Sequence, residues 1–151
     1  ICDITTAVSE VDADYYKKCR DFVIQNNLEK QVDFLGKVDE DVLEGLYKNS
    51  DLFIFLSSYE GFGMVNIEAM SFGLPIILSD IPPHRDIVDN GNYGHLVGLD
   101  CPDDIAQKIL MLSNDKAAYN KSSALAIERA KTYVWQHDVV CEKVSGFLVN
   151  E

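Results

Sequence analysis

Cysteine is limited to four scattered positions that match no metal-ligand spacing, and disulfides are possible in principle. The four cysteines lie far apart in 151 residues, with no Cys-x-x-Cys pair and no metal-ligand spacing. A domain of this length can bury a core without disulfides. We therefore expect free thiols in a reducing environment, and we predict a cytoplasmic location. The cysteines are Cys2, Cys19, Cys101 and Cys141.

Basic residues are also few. Thirteen Lys and Arg stand against 25 Asp and Glu, which gives a formal net charge of −12. A chain this acidic has no broad basic face, so neither nucleic acid nor an anionic membrane is an expected partner. The imbalance is strong in residues 51–100, where Arg85 is the only Lys or Arg beside seven acids. An anion bound there must rely on backbone amides, on a helix dipole, or on cations from another segment.

Long hydrophobic runs are missing as well. No apolar stretch approaches the ~20 residues of a membrane-spanning helix, and no signal peptide is visible. The chain begins with Ile1 in β-favouring sequence rather than with Met. We interpret it as a piece of a longer protein.

The elements that are present alternate between strands and helices. The run 51–57 is apolar enough to predict a strand buried on both faces, as in parallel sheets. Alternation of this kind predicts an α/β fold, with a Rossmann-like, doubly wound parallel sheet and right-handed crossovers in one domain over 1–151. Strands are predicted at 1–8, 32–36, 51–57, 76–79 and 95–99, and helices at 12–27, from 39 onward, and at 63–72, 85–89, 102–112 and 116–148.

The segment 60–69 carries the clearest chemical signal. It reads Glu-Gly-Phe-Gly-Met-Val-Asn-Ile-Glu-Ala, and it joins a predicted strand to a predicted helix. A strand therefore leads into a turn with two glycines, and Glu60 and Glu68 lie on either side of the helix start. Amides at a helix start can bind a diphosphate, and carboxylates accept hydrogen bonds from sugar hydroxyls. The pattern favours a nucleotide diphosphate sugar as ligand.

This segment and several others resemble the C-terminal, donor-binding half of GT-B glycosyltransferases, in particular the large retaining family called GT4. The matching segments occur in the family's order and at fitting intervals, and they cover nearly the whole chain. They are 32–36, 50–54, 57–62, 68–70, 73–76, 86–91 and 94–97.

The resemblance implies a role for both glutamates, which form the family's E-x7-E motif. Glu60 would contact hydroxyls of the donor sugar, and we take it as the catalytic residue. Glu68 would hold the 2′ and 3′ hydroxyls of the ribose. The amides of Gly63, Met64 and Val65 would then face the diphosphate.

Three further features follow from the same resemblance. Gly61, like Gly63, would let the backbone approach the phosphates closely. Phe62 would lie beside the sugar, although packing of the loop explains an aromatic residue there equally well. The turn of Gly36, Lys37 and Val38 matches the place where such enzymes hold the nucleobase.

The implied reaction is transfer of a hexose from a UDP-, GDP- or ADP-linked donor to a glycan, polysaccharide or lipid-linked acceptor, with retention of configuration. The implied partner is an N-terminal GT-B domain, through which any peripheral membrane contact would be made. The chain shows neither that domain nor the family's strand–helix unit with an Arg and a Lys for the diphosphate. We therefore expect it to be inactive alone. A decayed, non-catalytic module and a GT-B sugar-nucleotide epimerase remain as alternatives.

Two Asp-x-Asp patterns, at 12–14 and 39–41, match the metal motif of some glycosyltransferases. Each precedes a predicted helix, where acidic side chains cap the first turn and complement the dipole. We interpret both as helix caps, and we predict neither a metal nor another cofactor.

His84 and Arg85 follow the strand at 76–79. We expect His84 to be a solvated loop residue. We expect Arg85 to form a salt bridge with Asp86 or Asp89 rather than to contact a donor phosphate.

Overall fold

The structure, a computed structural model, describes residues 2–5 and 13–148, with side chains described for 13–133. Strands and helices alternate along these residues, so the α/β class is confirmed. The strands are β1 (Cys2–Thr5), β2 (Val32–Gly36), β3 (Phe53–Phe55), β4 (Ile76–Ser79) and β5 (His95–Val97). The helices are α1 (Ala13–Gln25), α2 (Glu40–Asn49), α3 (Met64–Ser71), α4 (Pro82–Ile87), α5 (Pro102–Asn114) and α6 (Lys116–Leu148).

The chain divides into two compact units, Ile1–Leu46 and Tyr47–Glu151. In the first unit, β1 pairs with β2 in parallel, with Cys2 opposite Val32. The predicted strand at 1–8 is described only over β1, and its other residues lie outside the described part. The ring of Tyr16 on α1 meets that of Phe34 on β2 edge-on at 5.4 Å. This aromatic contact joins the helix to the sheet of the first unit.

In the second unit, β3, β4 and β5 form a parallel sheet in that order. All four residues of β4, the middle strand, are buried. The prediction that β3 is buried on both faces is wrong, because Ile54 is 37% exposed. In the described sheet β3 is an edge strand with one hydrogen-bonded neighbour, and it is also shorter than the predicted run of 51–57.

The core of the second unit lies between this sheet and the helices. Ile77 and Val97 pack with Leu112 of α5, and α3 packs against α6. Glycine and proline set several helix ends. Gly73 adopts a left-handed φ of 78° just after α3, and α5 carries a proline in its first turn. The helix predicted at 85–89 instead begins at Pro82, because proline suits the first turn of a helix.

Gly94 lies where the core leaves no room for a side chain, which gives a first testable prediction. A Cβ at this position would lie 2.7 Å from Cγ1 of Val88 and 2.9 Å from Cγ1 of Ile76, and both residues are fully buried. We expect Gly94→Ala to lower the free energy of unfolding by about 1–3 kcal/mol through overpacking. Urea unfolding of the chain measures this loss.

Gly45→Ala is the matched control. Gly45 lies inside α2, and an added Cβ there meets nothing within 4 Å. This variant should gain about 0.5–1 kcal/mol, because alanine favours a helix interior over glycine. Equal stabilities for the two variants would contradict the packing described around Gly94.

Candidate functional site

The candidate site lies at the carboxyl ends of β3 and β4. Parallel strands end at the same edge of a sheet, and ligands of open α/β folds bind beyond that edge. The hydroxyl of Ser79, the last residue of β4, donates a hydrogen bond to the backbone carbonyl of Ser57, just beyond β3. This bond holds the two strand ends together at the base of the loop that leads to Glu60.

The turn at 60–63 ends in a glycine with a left-handed backbone, just before α3 begins. Gly63 is the N-cap residue, with φ 81° and ψ 49°, in the left-handed region that favours glycine. Its carbonyl accepts a hydrogen bond from the Asn66 amide at 3.0 Å. Within the described residues, no side chain caps this helix start. The amides of Met64 and Val65 lie in the first turn, where a helix offers no carbonyl partner.

Glu60 folds back onto its own turn. Its Oε1 accepts a hydrogen bond from the Gly61 amide at 3.0 Å, and Glu60 is half-buried. A Cβ at Gly63 would lie 3.4 Å from Cγ of Glu60, so the carboxylate stem passes close to the helix start. A carboxylate has acceptor sites on both oxygens, so Glu60 can accept from a further donor group while it binds Gly61.

Glu68 lies on the same face of α3 as Met64, because residues four apart in a helix are stacked. The residue is exposed, and its Oε2 accepts a hydrogen bond from the hydroxyl of Tyr47 at 3.4 Å. Burial and the nearby Glu68 carboxylate raise the pKa of Tyr47 to about 12. The phenol is therefore protonated at neutral pH and acts as the donor.

Phe62 combines exposure with packing. Its side chain is 51% exposed, while its ring meets that of Tyr133 on α6 edge-on at 6.0 Å. The loop-packing interpretation thus has a definite partner, and half of the ring still faces outward.

His84 is not a solvated loop residue, and that prediction is wrong. It lies on α4 and is fully buried, with its ring edge-on to Phe55 at 5.7 Å. Its Nδ1 lies 2.9 Å from the carbonyl oxygen and 3.1 Å from the hydroxyl of Ser79. Among the described residues, Nε2 of His84 and the side-chain amide of the buried Asn66 have no hydrogen-bond partner. The two contacts of His84 Nδ1 with Ser79 help to fix the carboxyl end of β4.

Arg85 forms a salt bridge, but the predicted partners Asp86 and Asp89 are wrong, because the carboxylate is that of Asp80. Its Nε and Nη2 donate to the two carboxylate oxygens of Asp80, at 2.5 and 3.0 Å. This arrangement lowers the pKa of Asp80, chiefly through the hydrogen bond from Arg85. Asp80 precedes α4, so the arginine reaches back along the chain rather than along its helix.

The predicted nucleobase turn belongs to the first unit. Gly36 ends β2 with a left-handed φ of 67°, Lys37 is exposed and Val38 is half-buried. A lone positive φ at a strand end explains the glycine as a turn residue.

The Asp-x-Asp patterns lie at helix starts. Asp14 is in the first turn of α1 and Asp41 in the first turn of α2, while Asp12 lies outside the described residues. In the described part, no three His, Cys, Asp or Glu residues come close enough to hold a metal ion. Cys19 and Cys101 are free thiols. None of the described helices is long and apolar enough to span a membrane.

Two residues near the site are not identified as functional by the sequence. Tyr47 lies on α2 among apolar residues, a pattern typical of a core face, although a buried tyrosine hydroxyl usually needs a partner. Arg129 binds the carbonyls of Asp86 and Ile87 from α6. No local signal in the sequence indicates that contact, because the partners lie more than 40 positions apart.

Comparison with known sequences identifies the family. The family model for glycosyl transferases group 1 matches residues 4–132. An uncharacterised glycosyltransferase of Methanocaldococcus jannaschii is 30% identical over 129 residues, which are 85% of this chain and 36% of that protein. A GDP-mannose:cellobiosyl-diphosphopolyprenol alpha-mannosyltransferase of Xanthomonas oryzae pv. oryzae is 31% identical over 80% of this chain and 32% of its own length. The chain thus spans about a third of these curated relatives.

Solved structures share the fold. The C-terminal domain of a glycosyl transferase group 1 family protein (LpcC) from Francisella tularensis is 28% identical with a TM-score of 0.71, covering 82% of this chain and 64% of that one. Anabaena HepE in complex with UDP and glucose is 24% identical with a TM-score of 0.81, covering 95% of this chain and 40% of that one. The predicted GT-B architecture is confirmed, and the chain belongs to the glycosyl transferases group 1 family.

Proposed function

We propose that this chain is the donor-binding domain of a retaining hexosyltransferase. The enzyme would break the bond between the anomeric carbon of an NDP-sugar and its diphosphate, and form a bond from that carbon to a hydroxyl of a glycan, polysaccharide or lipid-linked acceptor. The acceptor-binding partner would be an N-terminal GT-B domain, and this chain alone would transfer no sugar efficiently. A cytoplasmic location, peripheral to the membrane through that other domain, remains part of the proposal.

The observation that carries the proposal is the uncapped start of α3 at the edge of the sheet. The first-turn amides there have no side-chain cap among the described residues, and the positive end of the helix dipole adds to their field. A diphosphate leaving group gains charge as the glycosidic bond breaks, so fixed amides aimed at it stabilise the transition state. The amides of Gly63, Met64 and Val65 take this role.

The charge distribution supports the use of amides in place of a cation. Arg85 is the only Lys or Arg in residues 51–100, and both of its bonds go to Asp80. A phosphate would have to compete with that carboxylate. Backbone amides suffer no such competition, and Gly61 and Gly63 keep side chains out of their way.

The two carboxylates bind sugars on either side of the diphosphate. Glu60 accepts hydrogen bonds from hydroxyls of the transferred hexose through the oxygen that does not bind Gly61, and is the catalytic residue of the proposal. Glu68 accepts hydrogen bonds from the ribose hydroxyls. The exposed half of Phe62 contacts the hexose.

The relatives suggest which nucleotides to test. Solved structures of the similar Anabaena protein contain UDP or UDP-glucose, and the Xanthomonas relative is named for GDP-mannose. ADP completes the set of candidates. The donor requires no metal or other cofactor in this proposal.

Nucleotide titration tests the proposal. We expect the chain to bind UDP, GDP or ADP by isothermal titration calorimetry. Glu68→Ala should weaken the best of these complexes about tenfold or more, because hydrogen bonds to a charged group contribute about 1.5–3 kcal/mol. The folded state should be little affected, since Glu68 is an exposed helix residue.

Glu128→Ala is the control. Glu128 is an exposed glutamate on α6, so its removal changes the net charge equally. It should leave nucleotide affinity unchanged. If no nucleotide binds at millimolar concentration, or if both variants weaken binding alike, the proposed site is wrong.

A further inference from the structure

Tyr47 is held rigidly by aromatic neighbours. Its side chain is only 7% exposed, and its ring stacks on that of Phe72 at 5.4 Å with 26° between the planes. The ring of Phe53 on β3 meets it edge-on at 6.0 Å. A ring packed on two sides has little rotamer freedom, so its hydroxyl has a fixed position.

That fixed hydroxyl contacts the carboxylate of Glu68, an exposed side chain. The Tyr47 hydroxyl donates to Oε2 of Glu68, and Glu68 itself is exposed. An exposed glutamate samples many rotamers, and ordering it on ligand binding costs entropy. A single donor on Oε2 restricts these rotamers and leaves most of the acceptor sites of the carboxylate unoccupied.

We propose that Tyr47 is a positioning residue, which orients the Glu68 carboxylate to accept hydrogen bonds from the two vicinal hydroxyls of a nucleotide ribose. The inference rests on the proposed function, because it takes the ribose as the partner of Glu68. The hydroxyl of Tyr47 acts on the ligand only through Glu68, and the ring of Tyr47 serves the fold.

The division between ring and hydroxyl makes the inference testable. Tyr47→Phe keeps the ring and its stacking on Phe72, so the melting temperature should change by no more than about 2–4 °C. At 3.4 Å the hydrogen bond is long, which favours a modest effect on binding. We expect the Kd of the best-bound nucleoside diphosphate to rise about three- to tenfold.

The deciding measurement compares ribose with dideoxyribose. Calorimetric titrations use UDP, GDP or ADP, whichever the wild-type chain binds best, and the 2′,3′-dideoxy form of the same nucleotide. The loss caused by Tyr47→Phe should be present with the ribonucleotide and absent with the dideoxynucleotide. It should also be absent in a Glu68→Ala background, because coupled residues are not additive. A purely structural role of Tyr47 would weaken both nucleotides equally.

Tyr119→Phe provides a matched control. Tyr119 lies on α6, and its pKa is raised by burial and by the charge of Asp51. This variant removes a tyrosine hydroxyl from a different helix, whereas the hydroxyl on Glu68 is that of Tyr47, so it should bind both nucleotides as the wild type does.

The outcomes separate the two proposals. A wild-type chain that binds none of the nucleotides overturns the proposed function, and this inference with it. Wild-type binding with an unchanged Kd in Tyr47→Phe, or with an equal loss for ribose and dideoxyribose, overturns this inference alone.

Discussion

The Gly63→Ala variant is expected to lose about 2–4 kcal/mol of folding stability, from two separate causes. Gly63 has φ 81°, a conformation that disfavours any side chain with a Cβ. An added Cβ would also lie 2.5 Å from Nδ2 of Asn66 and 3.3 Å from Cδ1 of Ile87. Both neighbours are buried, so neither can move aside freely. Chemical unfolding of the chain measures the loss.

Two further variants separate the causes. Gly61→Ala changes the same turn, but its Cβ would meet nothing within 4 Å, so its stability should stay within about 1 kcal/mol of the wild type. Gly63→Ala combined with Asn66→Ala should be less destabilised than the sum of the single variants, because the shorter side chain relieves the contact. Additive losses would mean that backbone strain alone governs this position.

The same pair of glycines tests the proposed role of the turn. Gly61→Ala should fold normally and yet bind a nucleoside diphosphate more weakly, if the backbone at this position approaches the phosphates. A variant that keeps both full stability and full affinity would limit the requirement for glycine in this turn to Gly63.

Local order along the chain explains what the sequence predicts well. Gly63, Gly73 and Pro102 act on the residues next to them, so the ends of α3 and the start of α5 follow from the sequence. The same locality orders Glu60, the glycine turn and Glu68, since one strand–turn–helix segment carries all of them. Those positions are accessible to sequence reasoning because no distant contact is needed to arrange them.

Burial and distant pairing explain what the sequence does not predict. His84 is buried because Ser79 and Phe55, on two different strands, close around it. Ile54 is exposed because β3 is an edge strand in the described sheet. An apolar run in the sequence does not indicate how many strands will pair with it. Tyr47 meets Glu68 across 21 positions of the chain. Each of these features depends on a contact between separate elements.

The Arg129→Met variant is expected to lose about 2–3 kcal/mol of folding stability. Nε of Arg129 donates to the carbonyl of Ile87 at 2.8 Å, and Nη2 donates to the carbonyl of Asp86 at 2.7 Å. These carbonyls end α4, where a cation also complements the helix dipole. The guanidinium lies 5.4 Å from the ring centre of Tyr93 and 5.1 Å from that of Tyr133. Methionine keeps the apolar stem but supplies no donor and no charge.

Arg129→Lys and Lys131→Met complete the test by urea unfolding. Lysine keeps the charge but lacks the planar fork, so its loss should be intermediate. Lys131 is exposed on the same helix, and Lys131→Met should stay within about 0.5 kcal/mol of the wild type. Full stability in Arg129→Lys would show that charge alone holds α4 to α6. A loss of stability in Arg129→Lys would show that the planar guanidinium is needed as well. Because Tyr133 contacts both Arg129 and Phe62, we expect Arg129→Met also to perturb the turn of the proposed donor site.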